Sequence, residues 1–340
     1  GSGSGSGSRT QSQREAAGAA LKARVQDGLA GLKQAHREWS GRLAEGMKEG
    51  MKRSRSGLHW GSSENLERVR RVIEGLVKEG KRCDSVCDSV AAVEAFRAAV
   101  AIRPNDVDLL VSLSKSLSDR VFEPAIFVNL PQARAILLEA IEISNRAIAV
   151  NPTHAEAHLC LGAALGRLAM WSDNRERVEL SRSIKDSVEE ALRLDPDNDL
   201  AMHVLGRYQY QMASLGRIVR TLVRMMYGNG LAPGTMDAAE GLFRRAIALK
   251  PERLIHRVEL AKLLLETRRG AEALELLELA MTLPREDINS EHERADARDL
   301  LKKHWKREVA MPVYADAPRS SSSTQVLKEA EELLHRRGAP

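Results

Sequence analysis

Aromatic residues are scarce in this chain of 340 residues, at 4% of the sequence. Their scarcity argues against a β-sandwich or β-barrel and suits helices that pack through Ala and Leu. Only three cysteines are present, Cys83, Cys87 and Cys160, so there is no disulfide framework and we expect a reducing compartment. No stretch approaches the roughly 18 consecutive apolar residues of a membrane-spanning helix, and the sequence predicts none.

Motifs for catalysis and metal binding are also missing. The glycine-rich stretch 228–234 follows no predicted strand, and the sequence contains no GxxxxGK[ST] phosphate loop. Cys83 and Cys87 lie four residues apart on a predicted helix, but no second Cys/His pair has the spacing that zinc requires. His154 and His158 lack the glutamate directly after the first histidine that serves as the base of a zinc protease. We therefore expect no enzyme, no cofactor and no metal site.

What the sequence does contain is a repeat. Four similar segments end in proline, with an alanine five residues earlier and, in three of them, a large residue eight residues earlier. The prolines are Pro104, Pro152, Pro196 and Pro251; the alanines are Ala99, Ala147, Ala191 and Ala246; the residues eight before are Phe96, Ser144, Val188 and Phe243. Ten residues after each proline there is a small residue that directly follows a leucine. These small residues are Ser114, Gly162, Gly206 and Ala261. These offsets predict an all-α, tetratricopeptide-like solenoid of helical hairpins.

The spacing of the prolines indicates insertions. The prolines are 48, 44 and 55 residues apart, and the next one, Pro284, follows after 33, whereas the consensus repeat is about 34 residues long. The excess falls in residues 119–132, predicted as an apolar loop, in 170–177, and in 212–236, predicted as an amphipathic helix and a Gly/Pro loop. We expect a capping box at Asp237 and Glu240, and a capping helix over residues 288–306.

Composition divides the chain into four segments. Residues 1–9 form a Gly/Ser tail or linker, 10–60 a basic amphipathic helix and linker, 65–307 the repeats, and 308–340 a Pro/Ser tail with a short terminal helix. Residues 9–60 hold eleven Lys or Arg and five acids, a surplus of six, whereas the whole chain carries +5. This asymmetry favours an acidic partner.

The repeat body, residues 65–307, resembles the regulator of microtubule dynamics family. The resemblance lies in the runs HVLGRYQYQMASLGRIVRTLVRMMYG, PGTMDAAEGLFRRAIALKPE and MTLPREDINSEHERADARDLLKKHW. They are similar to the family's Leu-Gly-Arg-aromatic helix, its inserted helix ending in Phe/Tyr-Gly, and its Glu-Ala entry to the next hairpin. The Trp171-Ser172-Asp173 insertion is also similar.

The resemblance implies association with microtubules or spindle poles in the cytoplasm, with tubulin or a microtubule-bound complex as partner. One branch of the family sits on the mitochondrial surface by an N-terminal membrane helix and binds phospholipid through the same repeats. A phospholipid-binding module at membrane contact sites is therefore the alternative. The Ala/Gly/Arg-rich composition suits a structural component of a stable microtubule assembly such as a ciliary axoneme.

A tetratricopeptide groove is lined by the first helix of each hairpin, and the slot eleven residues after each proline points inward. That slot holds Lys115, Ala163, Arg207 and Lys262, and nearby slots hold Arg167, His203 and Tyr210. Lys and Arg bind carboxylates through charge-assisted hydrogen bonds. The row therefore predicts a groove for an extended acidic peptide, such as a tubulin C-terminal tail. The other interpretation is a set of ordinary solvated or helix-paired charges.

A separate basic surface is predicted on the inserted helix and at the end of the N-terminal segment. It comprises Arg217, Arg220, Arg224, Lys48, Lys52, Arg53 and Arg55. Such a surface suits a microtubule wall or anionic lipid head groups, although the three arginines also fit the solvated face of a core-packed helix. Nucleic-acid binding is not expected, because aromatics for base stacking are scarce and no recognition module is present.

Removal of residues 9–55 tests the role of the basic N-terminal segment. We expect the truncated chain to lose most of its pelleting with microtubules, because the deleted residues carry the basic surplus. Cosedimentation at a fixed salt concentration measures the effect. Full-strength pelleting of the truncated chain would mean that this segment is not the anchor.

Overall fold

The computed structural model describes residues 63–216 and 234–310, and within these ranges it contains helices and no strand. The all-α prediction is confirmed. In chain order the helices are α1 (Ser63–Ser85), α2 (Ser89–Ile102), α3 (Val107–Asp119), a 3-10 turn (Arg120–Phe122), α4 (Pro124–Phe127), α5 (Leu130–Val150), α6 (Ala155–Met170), α7 (Asn174–Leu194), α8 (Asp199–Ala213), α9 (Met236–Leu249), α10 (Leu254–Glu266), α11 (Gly270–Thr282) and α12 (Ile288–Ala310).

Consecutive long helices pack as hairpins, which makes the chain a tetratricopeptide-like solenoid. The hairpins are α1 with α2, α3 with α5, α6 with α7, α8 with α9, and α10 with α11. Each hairpin packs on the next, and the first helices of neighbouring hairpins, α3, α6, α8 and α10, also touch one another in sequence. The described residues up to 301 belong to one compact unit, which contains every contact discussed below, and residues 302–310 belong to a second.

Side-chain caps fix where six of the described helices begin. The N-cap side chain accepts a hydrogen bond from a backbone N–H three residues on, which satisfies one of the free donors of the first turn. The caps of this kind are Asp88, Asp106, Asn129, Asp173, Asn198 and Thr235. The prediction of a capping box starting at Asp237 is wrong by two residues, because Thr235 has the extended backbone of an N-cap and its hydroxyl accepts from Ala238.

Close approach of the two helices in a hairpin explains the small residues of the repeat. A Cβ added at Gly206 would lie 2.8 Å from the ring of Phe243, and one added at Gly162 would overlap Val188. In the α3–α5 hairpin both positions are small, and the Ser114 and Ser144 hydroxyls hydrogen-bond at 2.7 Å. Ser144 is the one small residue among the four that lie eight positions before a repeat proline. It faces Ser114 where the other two hairpins have glycine, so a short side chain fits there.

The alanines of the repeat lie where helices meet without room for a larger side chain. Ala99, Ala147, Ala191 and Ala246 are all 0% exposed. Neighbouring hairpins are also joined through the turns that contain the repeat prolines. The guanidinium of Arg146 donates to the carbonyl of Pro104, and that of Arg245 donates to the carbonyl of Pro196.

Two local predictions need correction. Residues 119–132 are largely helical, because the 3-10 turn, α4 and the first turn of α5 occupy most of the stretch and Pro124 takes a first-turn position that favours proline. Cys83 and Cys87 do not share a helix. The first helix ends at Ser85, and Cys87 lies in the following turn with φ 62°. The predicted capping helix begins at Ile288 as expected and continues to Ala310.

Other sequence predictions lie outside the described residues. These are the N-terminal helix and linker of residues 10–60, the inserted helix and loop of 217–233, and the terminal segment 311–340. None of the described helices has the length and hydropathy needed to cross a bilayer.

Gly162→Ala and Gly166→Ala form a matched pair in α6 that tests the hairpin contact. We expect Gly162→Ala to lower the free energy of unfolding by about 1–3 kcal/mol, because the new methyl group meets Val188. Gly166 has open space at its Cβ, so Gly166→Ala should stabilise the helix by up to about 1 kcal/mol. Urea titration of both variants measures the difference. Equal effects would contradict the close approach.

Candidate functional site

The first helices of the hairpins bring four of the predicted groove residues into one cavity. Lys115, Arg167, His203 and Arg207 all line a cavity of about 490 Å³. Ala163 lines it as well, so three of the four residues in the slot eleven after each proline reach it. Lys262 and Tyr210 are not among the lining residues. Lys262 lies in an ion cluster with Arg207, and the Tyr210 hydroxyl donates to Glu266 at 2.6 Å.

At the N-terminal end of the groove, two cations share one buried carboxylate. Lys115 Nζ lies 2.6 Å from Asp119 Oδ2 and 3.2 Å from Asp287 Oδ2, while Arg167 Nη2 lies 2.6 Å from Asp119 Oδ1. Burial lowers the pKa of the Lys115 ammonium, but Asp119, Asp287 and Asp84 outweigh it and raise that pKa above its ordinary value. Lys115 is therefore firmly charged and already paired.

Asp84 adds a third carboxylate to this end. Burial raises its pKa to about 6, against the opposing effect of Lys115, and the Ser116 hydroxyl donates to it at 3.0 Å. The Arg167 guanidinium also stacks over the ring of Phe122, 5.2 Å from its centroid. Such a stacked, paired arginine has little freedom to turn toward another anion.

At the C-terminal end, a second cluster pairs Arg207 and Lys262 with acids. Lys262 Nζ lies 3.0 Å from Glu259, 2.8 Å from Glu293 and 2.9 Å from Asp296. Arg207 reaches the carboxylates of Glu259 at 3.7 Å and Glu293 at 3.8 Å.

The two glutamates of this cluster have opposite pKa shifts. Burial raises the pKa of Glu259, but Arg207 and Lys262 outweigh that effect and hold it below its usual value. Burial and the nearby Glu259 raise the pKa of Glu293 to about 7. Of the two carboxylates, Glu293 is therefore the more easily protonated, while the two cations keep Glu259 charged.

The row of cations predicted from the sequence therefore exists, but carboxylates of the same chain contact it. Lys115, Arg207 and Lys262 each contact an acid on α12 or just before it. These acids lie on or just before the terminal helix, outside the hairpin positions that mark the groove in the sequence. Glu259, three residues before Lys262, and the pair Glu293 and Asp296, also three apart, were the available signals. Binding of a foreign acidic peptide stays a prediction.

A buried imidazole pair lies beside the C-terminal cluster. His256, which is fully buried, has Nε2 2.9 Å from Asp199 Oδ2 and Nδ1 3.1 Å from Nδ1 of His203. A carboxylate only accepts, so His256 donates from Nε2 and its Nδ1 accepts the proton of His203. The Arg253 guanidinium donates to the same Asp199 oxygen. His256 and Asp199 were not identified from the sequence, and no periodicity marks them.

Burial lowers the pKa of both imidazoles. For His203 the neighbouring His256 and the cations Arg207, Lys262 and Arg253 lower it further. For His256 the carboxylate of Asp199 opposes the effect of burial on the pKa without overcoming it. Both rings are therefore neutral at pH 7, and the pair holds α8 against α10 by hydrogen bonding.

The predicted basic surface was not placed. Arg217, Arg220, Arg224, Lys48, Lys52, Arg53 and Arg55 all lie outside the described residues. Within residues 63–216 and 234–310, no group of three or more His, Cys, Asp or Glu side chains is arranged to hold a metal ion.

A family model described as Regulator of microtubule dynamics protein 1-3 matches residues 81–306. Regulator of microtubule dynamics protein 1 of Caenorhabditis elegans is 24% identical over 172 residues, which cover 51% of this chain and 76% of that protein. Regulator of microtubule dynamics protein 3 of Bos taurus is 26% identical over 178 residues, which cover 52% of this chain and only 37% of that protein.

Among solved structures, a thermophilic tetratricopeptide-repeat protein of Thermus thermophilus aligns with 66% of this chain and 98% of its own. The TM-score is 0.48 and the sequence identity 20%.

The imidazole pair predicts that the stability cost of His203→Leu depends on pH. Because the folded-state pKa is lowered, the unfolded wild-type chain binds a proton below about pH 6.5 that the folded chain does not. The wild type therefore loses up to about 1.4 kcal/mol per pH unit, and His203→Leu escapes this loss. We expect denaturant unfolding to show a smaller cost of the substitution at pH 5.5 than at pH 7.5. Met202→Ala, also buried in α8, should cost the same at both, and a pH-independent cost of His203→Leu would contradict the neutral pair.

Proposed function

The chain belongs to the regulator of microtubule dynamics protein 1-3 family, and we propose that it is a non-enzymatic, microtubule-associated scaffold. In this proposal the repeat domain binds protein partners, and the basic segments contact the acidic surface of tubulin. The observation that carries it is the family match over residues 81–306, which spans nearly the whole solenoid. The proposed location is the cytoplasmic cytoskeleton.

The charges of the groove indicate different roles for the groove and for the basic segments. Acids of the same chain already pair with Lys115, Arg207 and Lys262. The groove therefore exerts little long-range attraction on an acidic surface. The surplus of six positive charges lies in residues 9–60. We therefore assign the contact with tubulin to that segment and to Arg217, Arg220 and Arg224, and the choice of partner to the groove.

The hairpin packing supports a structural role. The buried alanines and glycine contacts leave each hairpin little room to shift, and ion pairs between distant helices, such as Lys115 with Asp287, tie the repeats together. A rigid body of this kind suits a component of a stable microtubule assembly, such as a ciliary axoneme.

A phospholipid-binding module is the second candidate, and the cavity favours it. Leu159, Val204 and Ile255 contribute apolar surface to a volume of about 490 Å³. The hydroxyl of Tyr208, a residue that is 7% exposed and lines the cavity, has no hydrogen-bond partner among the described residues. A buried hydroxyl without a partner costs about 1–3 kcal/mol, which the polar group of an amphipathic ligand would offset if the ring turned its hydroxyl toward the cavity.

Cosedimentation with microtubules whose acidic tubulin tails have been removed by proteolysis tests the proposal. We expect the chain to pellet with intact microtubules and to lose most of its pelleting when the tails are absent, since the tails carry the negative charge that the basic segments would bind. The triple variant Arg217→Gln, Arg220→Gln, Arg224→Gln should show an intermediate loss. Pelleting should also weaken as salt rises from about 50 to about 200 mM, as expected of exposed charges.

Liposome flotation in parallel separates the two candidates. Flotation with anionic vesicles and no pelleting with microtubules would overturn the scaffold proposal in favour of the lipid candidate. Unchanged pelleting after removal of the tails would contradict the proposed contact between the basic segments and tubulin.

A further inference from the structure

The segment that follows the last hairpin turns back over the groove. We call residues 284–301 the return segment. Glu286 accepts from Arg253 Nε at 2.9 Å, Asp287 pairs with Lys115 at 3.2 Å, and Glu293 pairs with Lys262 at 2.8 Å. Lys115 and Asp287 are 172 residues apart in sequence. The return segment therefore contacts the second hairpin as well as the last one, and acidic side chains make most of its polar contacts with the groove.

An aromatic contact anchors the middle of the return segment. His292 lies between the rings of Phe122 and Phe127, with centroid distances of 4.7 and 5.1 Å. Both phenylalanines belong to the insertion between α3 and α5. The insertion that lengthens this repeat thus forms part of the surface on which the return segment lies.

The return segment is held by contacts that another acidic chain could reproduce. Its buried residues are Ser290, Glu293 and Ala297, none of which is a large apolar side chain. The large side chains Ile288, Leu300 and Leu301 are only partly buried against the core clusters. Besides the His292 contact and a hydrogen bond from Arg294 to the Met281 carbonyl, the segment is held by its carboxylates, which pair with Lys115, Arg207, Lys262 and Arg253. If a carboxylate of another chain replaces one of the return segment on the same cation, the ion pair is conserved. If the return segment simply moved into water, the buried cations would be left unpaired.

We propose that the groove is a binding site for an acidic helix, that residues 284–301 occupy it in cis, and that an acidic partner peptide binds there by displacing them. A partner peptide should carry carboxylates at the positions that correspond to Asp287, Glu293 and Asp296, and a planar ring at the position that corresponds to His292. The inference rests on the proposed function only in taking the partner of the groove to be a protein. It adds that the free chain competes with that partner.

Covalent attachment makes the return segment a strong competitor of a separate peptide. A covalently attached occupant has an effective concentration in the millimolar range for a short linker. The apparent affinity for a separate peptide is then reduced by the fraction of molecules in which the groove is open. Weakening the resident segment should therefore raise the affinity for an outside peptide, although no residue of the groove is changed.

Fluorescence anisotropy with a labelled synthetic peptide of residues 284–301 tests the proposal on the full chain. We expect weak binding to the wild type and at least about tenfold tighter binding to the variant Asp287→Asn, Glu293→Gln, Asp296→Asn, because its own segment no longer competes. Adding Lys262→Glu to that variant should remove the gain. Glu291→Gln is the matched control, since Glu291 is in the same segment and pairs with Arg285 of that segment; it should bind as the wild type does.

Equal binding of the peptide by the wild type and the triple variant would overturn the proposal, as would no binding by either or equal binding of a scrambled peptide. Hydrogen exchange of the wild-type chain decides the matter if the triple variant does not fold. Saturating unlabelled peptide should accelerate exchange of the amides of residues 288–301 and leave those of α10 unchanged; no acceleration would equally overturn it. Neither assay contains tubulin, so failure of the microtubule pelleting assay and failure of this one are distinguishable.

Discussion

The close approach of two helices at a small residue is the contact on which the solenoid depends. In each of three hairpins the residue ten positions after the repeat proline faces the residue eight positions before the next one, as Gly162 faces Val188, Gly206 faces Phe243 and Ser114 faces Ser144. Where the first helix has glycine, the second has a large side chain that fills the space. This contact sets the distance between the helices and so determines which side chains point into the groove.

The groove follows from that geometry, and its electrostatics follow from burial. Helices α3, α6, α8 and α10 lie side by side, and their inward slots place Lys115 and Arg207 in one cavity with Lys262 beside it. Buried cations require partners because desolvation is costly. The chain supplies them from Asp119 and Glu259 within the hairpins and from the return segment across the groove. A surface that looks basic in the sequence therefore has its charges compensated in the fold, and the proposed attraction to tubulin depends on the segments outside it.

The repeat and the groove slots could be predicted from sequence because they depend on local periodicity. The buried Ala99, Ala147, Ala191 and Ala246 lie where the pattern requires them. The partner of Lys115 on the return segment could not be predicted, because Asp287 lies 172 residues away and nothing local fixes where a terminal helix folds back. The start of α9 was misplaced because Thr235 and Asp237 are both good caps and only the backbone conformation chooses between them.

A double-mutant cycle between Lys115 and Asp287 tests most directly whether the return segment closes the groove. The substitutions Lys115→Met and Asp287→Asn are made singly and together, and the free energy of unfolding is measured for all four chains. If the return segment closes the groove, the double variant loses less stability than the two single losses combined, by a coupling energy of about 0.5–3 kcal/mol. Additive losses, with no coupling, would mean that the two residues do not meet in solution and would contradict the account.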